Sequence, residues 1–293
     1  MKISKITLGT VNFGMNYGLR KNRNKVTNHK AKILVRNALK LGINSFDTSP
    51  NYGDSEKIIG KLLKHIKNKF IATKIQIDND SKIDFKKIDR KINQSRKNLF
   101  QKKLDLLQIH NAKISHIKNS KIKIYFKKLK SLNIINKIGV SIYTEKEALE
   151  AIKSKWIDSI QVPFNVVNQK MKYKIFNLAK KNKVKIFTRS TLLKGFLTDR
   201  IIYSPNKLIP LKKEIEKKFH KKNFDIKNLK SISIRFVLSN DLIDSVVFGV
   251  ENPEQLKEII NLKKKLYNKK TIKNLEFIDS KLKIKDPRYW PFV

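Results

Sequence analysis

Apolar positions along the chain fall into short runs, separated by longer stretches with helical spacing. Ile3–Leu8 alternates like a strand. Ala31–Leu41 places Ile33, Leu34, Ala38 and Leu41 on one side of a helix, with Gly42 just past its end. Ile43–Phe46 reads as a strand running into the polar loop Asp47–Glu56. Ser55–Ile66 follows as a helix, with Asp54 placed to cap it. Phe70–Lys74 and Leu104–His110 are the next strands, each followed by a helix, at Asp84–Leu99 and Lys121–Leu132. Lys137–Ser141, Ser159–Pro163, Val184–Arg189 and Asp244–Phe248 repeat the strand pattern. Helices at Thr144–Lys153 and Lys170–Lys181 lie between them, the first opening on the capping box Thr144-x-x-Glu147. The longest interval holds a loop near Gly195–Pro210 and helices at Lys212–Phe219 and Asn228–Val237. Asn252-Pro253-Glu254 opens the last helix, with proline at its first position.

Eight strands, each followed by a helix, at intervals of roughly 20 to 40 residues, are the pattern of repeated βα units. Such a chain closes into a barrel or opens into a doubly wound sheet. No Gly-x-Gly-x-x-Gly follows the first strand, so the usual dinucleotide-binding half-domain is absent. The expected fold is therefore an α/β (β/α)8 TIM barrel. No linker or composition break divides the 293 residues, so one domain spanning 1–293 is expected.

Composition narrows the partners. Hydrophobic residues make up 40 % of the chain, enough for a sizeable core. There is no cysteine, which removes disulfides, thiolate metal sites and a cysteine nucleophile. No apolar run approaches the roughly 18 residues of a membrane span. The N-terminus does not read as a signal peptide, and a cytoplasmic protein is expected. The net charge of +43 invites a nucleic-acid reading. But 58 of the cations are lysines, spread along the chain, and only nine are arginines, the residue that reads bases and phosphates bidentately. The lysines read as solvated helix faces, so no nucleic-acid partner is expected.

In a barrel the active site lies at the C-terminal ends of the strands. Asp47, Lys74 and His110 end the second, third and fourth strands, and Tyr52 follows five residues after Asp47. A tyrosine hydroxyl, with a reference pKa of about 10, is a poor acid alone. A neighbouring lysine lowers that value, an aspartate holds the lysine charged, and a histidine hydrogen-bonds a substrate oxygen. The four together can protonate a carbonyl oxygen while its carbon is attacked. No metal-ligand cluster appears, so no metal is expected.

The chain resembles the aldo-keto reductases. The matching segments are Leu8-Gly9-Thr10 and Phe13-Gly14, then Phe46–Glu56 with Gly60, Thr73-Lys74 and Gln108-Ile109-His110. They continue through Gly139-Val140-Ser141, Gln161–Asn165 and Val246–Leu256. The resemblance implies NAD(P)H-dependent reduction of an aldehyde or ketone on a (β/α)8 barrel. It makes Tyr52 the general acid, Lys74 its activator, Asp47 the partner of Lys74, and His110 the group that orients the carbonyl. Ser141 and Gln161 match the residues that bind the nicotinamide carboxamide. Arg189-Ser190 replaces the aromatic-Ser pair of many members, so Arg189 stacks on nicotinamide or binds pyrophosphate. Thr10, Ser190, Leu192 and Gly195 complete that part of the cofactor site. Gly249 and Gln255 stand where many NADPH-preferring members carry Lys and Arg around the adenosine 2'-phosphate, and Asn252 and Gln255 are the candidate donors to phosphate or ribose there. NADPH is the expected cofactor, with NADH the alternative. Phe13, Tyr17, Asn51 and Asn111 are candidates for lining the substrate mouth. The substrate is expected to be a small carbonyl compound, a sugar derivative being one candidate. The protein is expected to be a monomer or weak oligomer. The alternative function is a cofactor-binding regulatory module of the same fold with little turnover.

Overall fold

The structure is a computed structural model that describes residues 2–19, 24–78 and 83–290. Eight parallel strands close into a barrel in chain order. They are β1 (Ile6–Gly9), β2 (Ser45–Asp47), β3 (Phe70–Ile75), β4 (Leu104–Ile109), β5 (Ile135–Ser141), β6 (Ser159–Pro163), β7 (Lys185–Arg189) and β8 (Ser245–Gly249). Closure is made by β1 against β8, with Leu8 opposite Phe248 and Gly9 opposite Gly249. The strands are covered on both faces, which is why they read as near-continuous apolar runs.

Side chains alternate between the two faces of each strand. One set points into the barrel, where Phe70, Ala72, Leu106 and Phe187 form a plug separate from the main core. The rings of Phe70 and Phe187 stack at 6.1 Å. Two or four residues further along the same strands, the same face carries Lys74, His110 and Arg189. The interior thus holds an apolar plug beside buried polar groups, with Thr7 bonded to both Ser45 and Ser245, and becomes ionisable at its C-terminal mouth. The other set meets the surrounding helices in one continuous core.

Besides the short helices Val11–Gly14 and Ile114–Lys118, the helices are α1 (Asn28–Lys40), α2 (Ser55–Leu63), α3 (Phe85–Leu99), α4 (Ser120–Ser131), α5 (Glu145–Lys153) and α6 (Asn177–Lys181). They continue as α7 (Ile209–Lys221), α8 (Leu229–Leu238), α9 (Pro253–Lys263) and α10 (Lys269–Glu276). The capping box at Thr144 and Glu147 is present at the start of α5. Asp54 does not cap α2: its carboxylate pairs with Lys57 instead, at 3.1 Å. The single helix expected over 170–181 is a π turn at Lys172–Phe176 leading into the short α6. The loop after β7 is not featureless; three 3-10 turns pass through Leu193–Gly195, Asp199–Tyr203 and Asn206–Leu208.

The C-terminal segment packs back across the mouth side of the barrel. Its backbone bonds the segment after β6, from Ser280 N to Val167 O at 2.9 Å. Lys285, almost fully buried, bonds Asp279 at 3.0 Å. Trp290 packs edge-on to Phe196 of the β7 loop at 6.0 Å. The last three residues, 291–293, lie outside the described residues.

Candidate active site

The four strand-end residues converge. Lys74 Nζ lies 2.7 Å from Asp47 Oδ1 and donates to Thr48 O at 2.9 Å. Both charged groups are buried, at 1 % and 5 % exposure. The second Asp47 oxygen accepts from Gln161 Nε2 at 2.7 Å. Asp47 is therefore held on both oxygens, as a buried carboxylate requires. Lys74 Nζ also sits 5.0 Å from the centroid of the Tyr52 ring, a cation–π contact. The His110 ring meets the Tyr52 ring edge-on at 6.2 Å.

Close backbone packing places Tyr52. A Cβ added to Gly14 would lie 1.7 Å from Tyr52 O, and one added to Gly53 would lie 2.4 Å from Gly14 O. Gly53 also has φ +55, a left-handed conformation that favours glycine. Hydroxyl contacts reinforce the junction. Thr10 Oγ1 donates to Asp47 O at 2.9 Å, and Ser55 Oγ lies 2.6 Å from Thr10 Oγ1 and 2.9 Å from Thr48 Oγ1. Behind Lys74, the buried carboxylate of Glu56 accepts from Thr73 at 2.6 Å and Asn98 at 3.2 Å. The Asp47–Glu56 block is thus part chemistry and part scaffold.

Electrostatics departs from the sequence expectation at Tyr52. Its pKa is pushed up, not down, first by loss of solvent around the phenol and then by the Asp47 carboxylate. Lys74 cannot reverse this, because its charge is balanced by Asp47 at 2.7 Å. Burial lowers the Lys74 pKa, with Asp47 opposing. His110 is lowered to about 3, first by burial and then by the Lys74 and Arg189 cations. The site therefore holds a protonated tyrosine and a neutral imidazole at neutral pH. Among the described residues no hydrogen bond engages the Tyr52 hydroxyl. His110 Nδ1 is buried without a partner.

These residues open onto a cavity of about 380 Å³ at the barrel mouth. Asp47, Tyr52 and His110 line it, with Lys74 buried beneath. Thr10, Ser141, Gln161, Arg189, Ser190, Leu192, Gly195, Gly249, Gln255 and Tyr17 line it too. Four expected residues do not. Phe13 is fully buried in the core, because its one-turn helix Val11–Gly14 turns the ring inward. Asn51 is exposed and donates to Gln76 Oε1 at 2.8 Å. Asn111 is exposed beyond β4, with φ 51, and is not part of the wall. Asn252 caps α9, accepting from Gln255 N at 2.9 Å, so its side-chain oxygen is engaged in the helix start.

The cavity also has walls that sequence reasoning missed: Asn12, Tyr143, Thr191, Lys194, Arg200, Lys230 and Glu251. Tyr143 was findable, since it follows Ser141 by two residues at a strand end. Lys230 was not, because it lies on α8 and only tertiary packing brings it there. Asn12 Oδ1 and Thr191 Oγ1 are buried without partners and face this region. At Gly249 an added Cβ would meet nothing nearer than Asn12 Oδ1 at 3.9 Å. Open backbone, orphaned polar atoms and the Lys194 ammonium suit a long, polar ligand, whereas Arg200 and Lys230 are paired with Glu251 at 3.6 Å and with Glu258. Among the described residues, no group of three His, Asp or Glu side chains is placed to hold a metal.

Comparison with known proteins agrees with this geometry. The aldo/keto reductase family model matches residues 5–280. The chain is 24 % identical to aldo-keto reductase YhdN of Bacillus subtilis over 265 residues, covering 80 % of this chain and 78 % of that one. It is 26 % identical to L-galactose dehydrogenase of Arabidopsis thaliana over 279 residues, covering 88 % of this chain and 83 % of that one. The fold is similar to that of aldo-keto reductase AKR11C1 from Bacillus halodurans in its holo form. The TM-score is 0.79 and the identity 19 %, over 96 % of this chain and 93 % of that one. A match along nearly the whole chain, on a closed eight-stranded barrel, places the protein in the aldo/keto reductase family, whose members are NAD(P)H-dependent oxidoreductases of carbonyl compounds.

Proposed function

We propose that the chain reduces an aldehyde or ketone to an alcohol, with Tyr52 as the proton donor. The observation that carries this reading is the Tyr52 hydroxyl. It has no protein partner among the described residues, lines the mouth cavity, and is kept protonated by its surroundings. A bound nicotinamide cofactor supplies the hydride that attacks the carbonyl carbon. The chain's own residues do the rest. Tyr52 Oη gives its proton to the carbonyl oxygen as negative charge develops there. His110, neutral, offers a hydrogen bond that orients that oxygen without competing as an acid. Lys74, paired with Asp47, supports the Tyr52 ring from beneath. Its ammonium uses two of three donors on Asp47 and Thr48 and keeps one uncommitted.

Ser141 and Gln161 would hold the carboxamide. Gln161 donates through Nε2 to Asp47, which leaves its carbonyl oxygen to accept. Thr10, Ser190, Leu192 and Gly195 would border the pyrophosphate, and Gly249 and Gln255 the adenosine end. The net charge of +43 favours NADPH over NADH. The similarity to an L-galactose dehydrogenase supports a sugar-derived carbonyl as substrate.

Multiple-turnover oxidation of NADPH in the presence of a panel of aldehydes tests the reading. Sustained turnover on at least one aldehyde is expected. Tight NADPH binding with no turnover across the panel would favour the regulatory-module alternative. A fluorescence titration with NADPH and NADH checks the cofactor preference, with tighter binding of NADPH expected.

A further inference from the structure

The end of the barrel opposite the mouth carries a patch that the reduction does not use. In a closed barrel the turns from helix to strand gather at the N-terminal ends of the strands. Three consecutive turns there follow α2, α3 and α4, at residues 64–69, 100–103 and 132–134. They are neighbours in space. Lys64 Nζ sits 5.2 Å from the centroid of the Phe100 ring, and Lys103 Nζ donates to Asn133 Oδ1 at 2.9 Å. Leu104 N, just past the second turn, donates to Ile134 O in the third at 3.0 Å.

Charge on this patch has one sign. Lys64, Lys67, Lys102 and Lys103 are exposed, and no ion pair engages them among the described residues. The acids at the start of β4 and just before β6 are committed elsewhere. Asp105 accepts from Ile71 N and from Gln101, both at 2.9 Å, and Asp158 is held by Lys130 at 2.9 Å and Ile138 N at 2.8 Å. The helix dipole favours lysines near helix C-termini. It does not account for two large apolar side chains in the same turns. Phe100 is 46 % exposed and Leu132 58 %. Phe100 also holds φ 52, a left-handed conformation that favours glycine or asparagine, and its counterpart in the next turn is Asn133, at φ 57.

Such a surface has two affinities. The ammonium groups attract anions, and the apolar side chains gain only where water is excluded. The phosphate backbone of a nucleic acid rewards the first alone. A second copy of this chain would set lysines against lysines. An anionic bilayer rewards both, taking the ring and the leucine between headgroups while the lysines reach their phosphates. We propose that this end of the barrel docks on an anionic lipid surface. Phe100 and Leu132 enter the headgroup layer, and the mouth faces away from it, open to cofactor and substrate. The docking goes beyond the proposed reaction and does not depend on it.

Co-sedimentation tests this with vesicles of phosphatidylglycerol and phosphatidylcholine in equal parts, beside vesicles of phosphatidylcholine alone. Wild type is expected to bind the first and not the second. The triple variant Lys64→Gln, Lys67→Gln, Lys102→Gln is expected to lose at least about tenfold in vesicle affinity, each lysine near such a surface being worth about fivefold. The double variant Phe100→Asn, Leu132→Gln keeps every lysine and suits the left-handed position, and it is expected to lose at least about fivefold through lost insertion. As a control, Lys86→Gln, Lys121→Gln, Lys123→Gln removes the same charge from the mouth-side ends of α3 and α4, and is expected to lose less than about twofold because salt screens charges that far from the membrane. NADPH binding, read by fluorescence, is expected to be unchanged in all three variants and shows that they fold. Equal losses in the control and in the first triple variant would mean a diffuse field from the net charge, and would overturn the inference. Full vesicle binding by the double variant would overturn it as well, because only charge would then be at work. So would a wild type that ignores both vesicles but binds a duplex oligonucleotide through Lys64, Lys67 and Lys102, which would identify a nucleic-acid surface instead.

Discussion

At the residue scale the buried Lys74–Asp47 pair is the most exacting feature. Removing one partner leaves the other charged, buried and uncompensated, which typically costs about 3–5 kcal/mol. Lys74→Met is therefore expected to destabilise the fold by that order and to abolish turnover. Combining it with Asp47→Asn is expected to recover stability but not activity, as read by chemical denaturation. A double variant no more stable than Lys74→Met would contradict the coupling. His110 makes a separate prediction. Its pKa is about 3 in the fold, below the reference value near 6.5 of an unfolded chain. Between those values the unfolded state binds the proton that the folded state refuses. Stability then falls as pH drops from about 6.5 towards 3, and His110 contributes no pH dependence above that window. Denaturation midpoints across this range should fall less steeply in His110→Asn than in wild type. For the same reason the pH–rate profile should carry no inflection from His110 between about pH 5 and 8.

At the element scale the loop after β2 is what aims Tyr52. Its approach to the β1 loop is close enough that Gly14 admits no side chain. Gly14→Ala is expected to push the Tyr52 backbone away and to lower kcat by about 100-fold, with much less effect on NADPH affinity. An unchanged kcat would show that this packing does not set the tyrosine. Strand ends were legible in the sequence because ionisable residues there interrupt otherwise apolar runs, as at Lys74 and His110. The barrel was legible because its βα units repeat. Phe13 was misread because a residue just past a strand end can turn either way, and only the one-turn helix at Val11–Gly14 sends it inward. The direction of the Tyr52 shift was misread because adjacency to Lys74 was visible in the pattern. The neutralising geometry of Asp47 at 2.7 Å was not. Helix α10 escaped notice because its apolar positions are sparse and its contacts lie far away in sequence, as between Lys172 and Glu276.

At the scale of the whole molecule the net charge of +43 is largely carried by lysines on the outer helices. Such an excess strains the compact state through self-repulsion, which salt screens over about 10 Å at 0.1 M. The thermal midpoint is therefore expected to rise between low and moderate NaCl, and NADPH affinity to fall over the same range. A midpoint that falls with added salt would indicate that attractive ion pairs dominate instead. Among the described residues no helix is long and apolar enough to cross a membrane.

The most direct measurement of the central claim is single-turnover and steady-state NADPH oxidation by Tyr52→Phe beside wild type, on the best aldehyde of the panel. The substitution removes one oxygen and leaves the ring contacts with Lys74 and His110 in place. The predicted result is unchanged NADPH binding, with the chemical step slowed by about 100- to 10,000-fold. A Tyr52→Phe enzyme that turns over at the wild-type rate would contradict the assignment of Tyr52 as the proton donor.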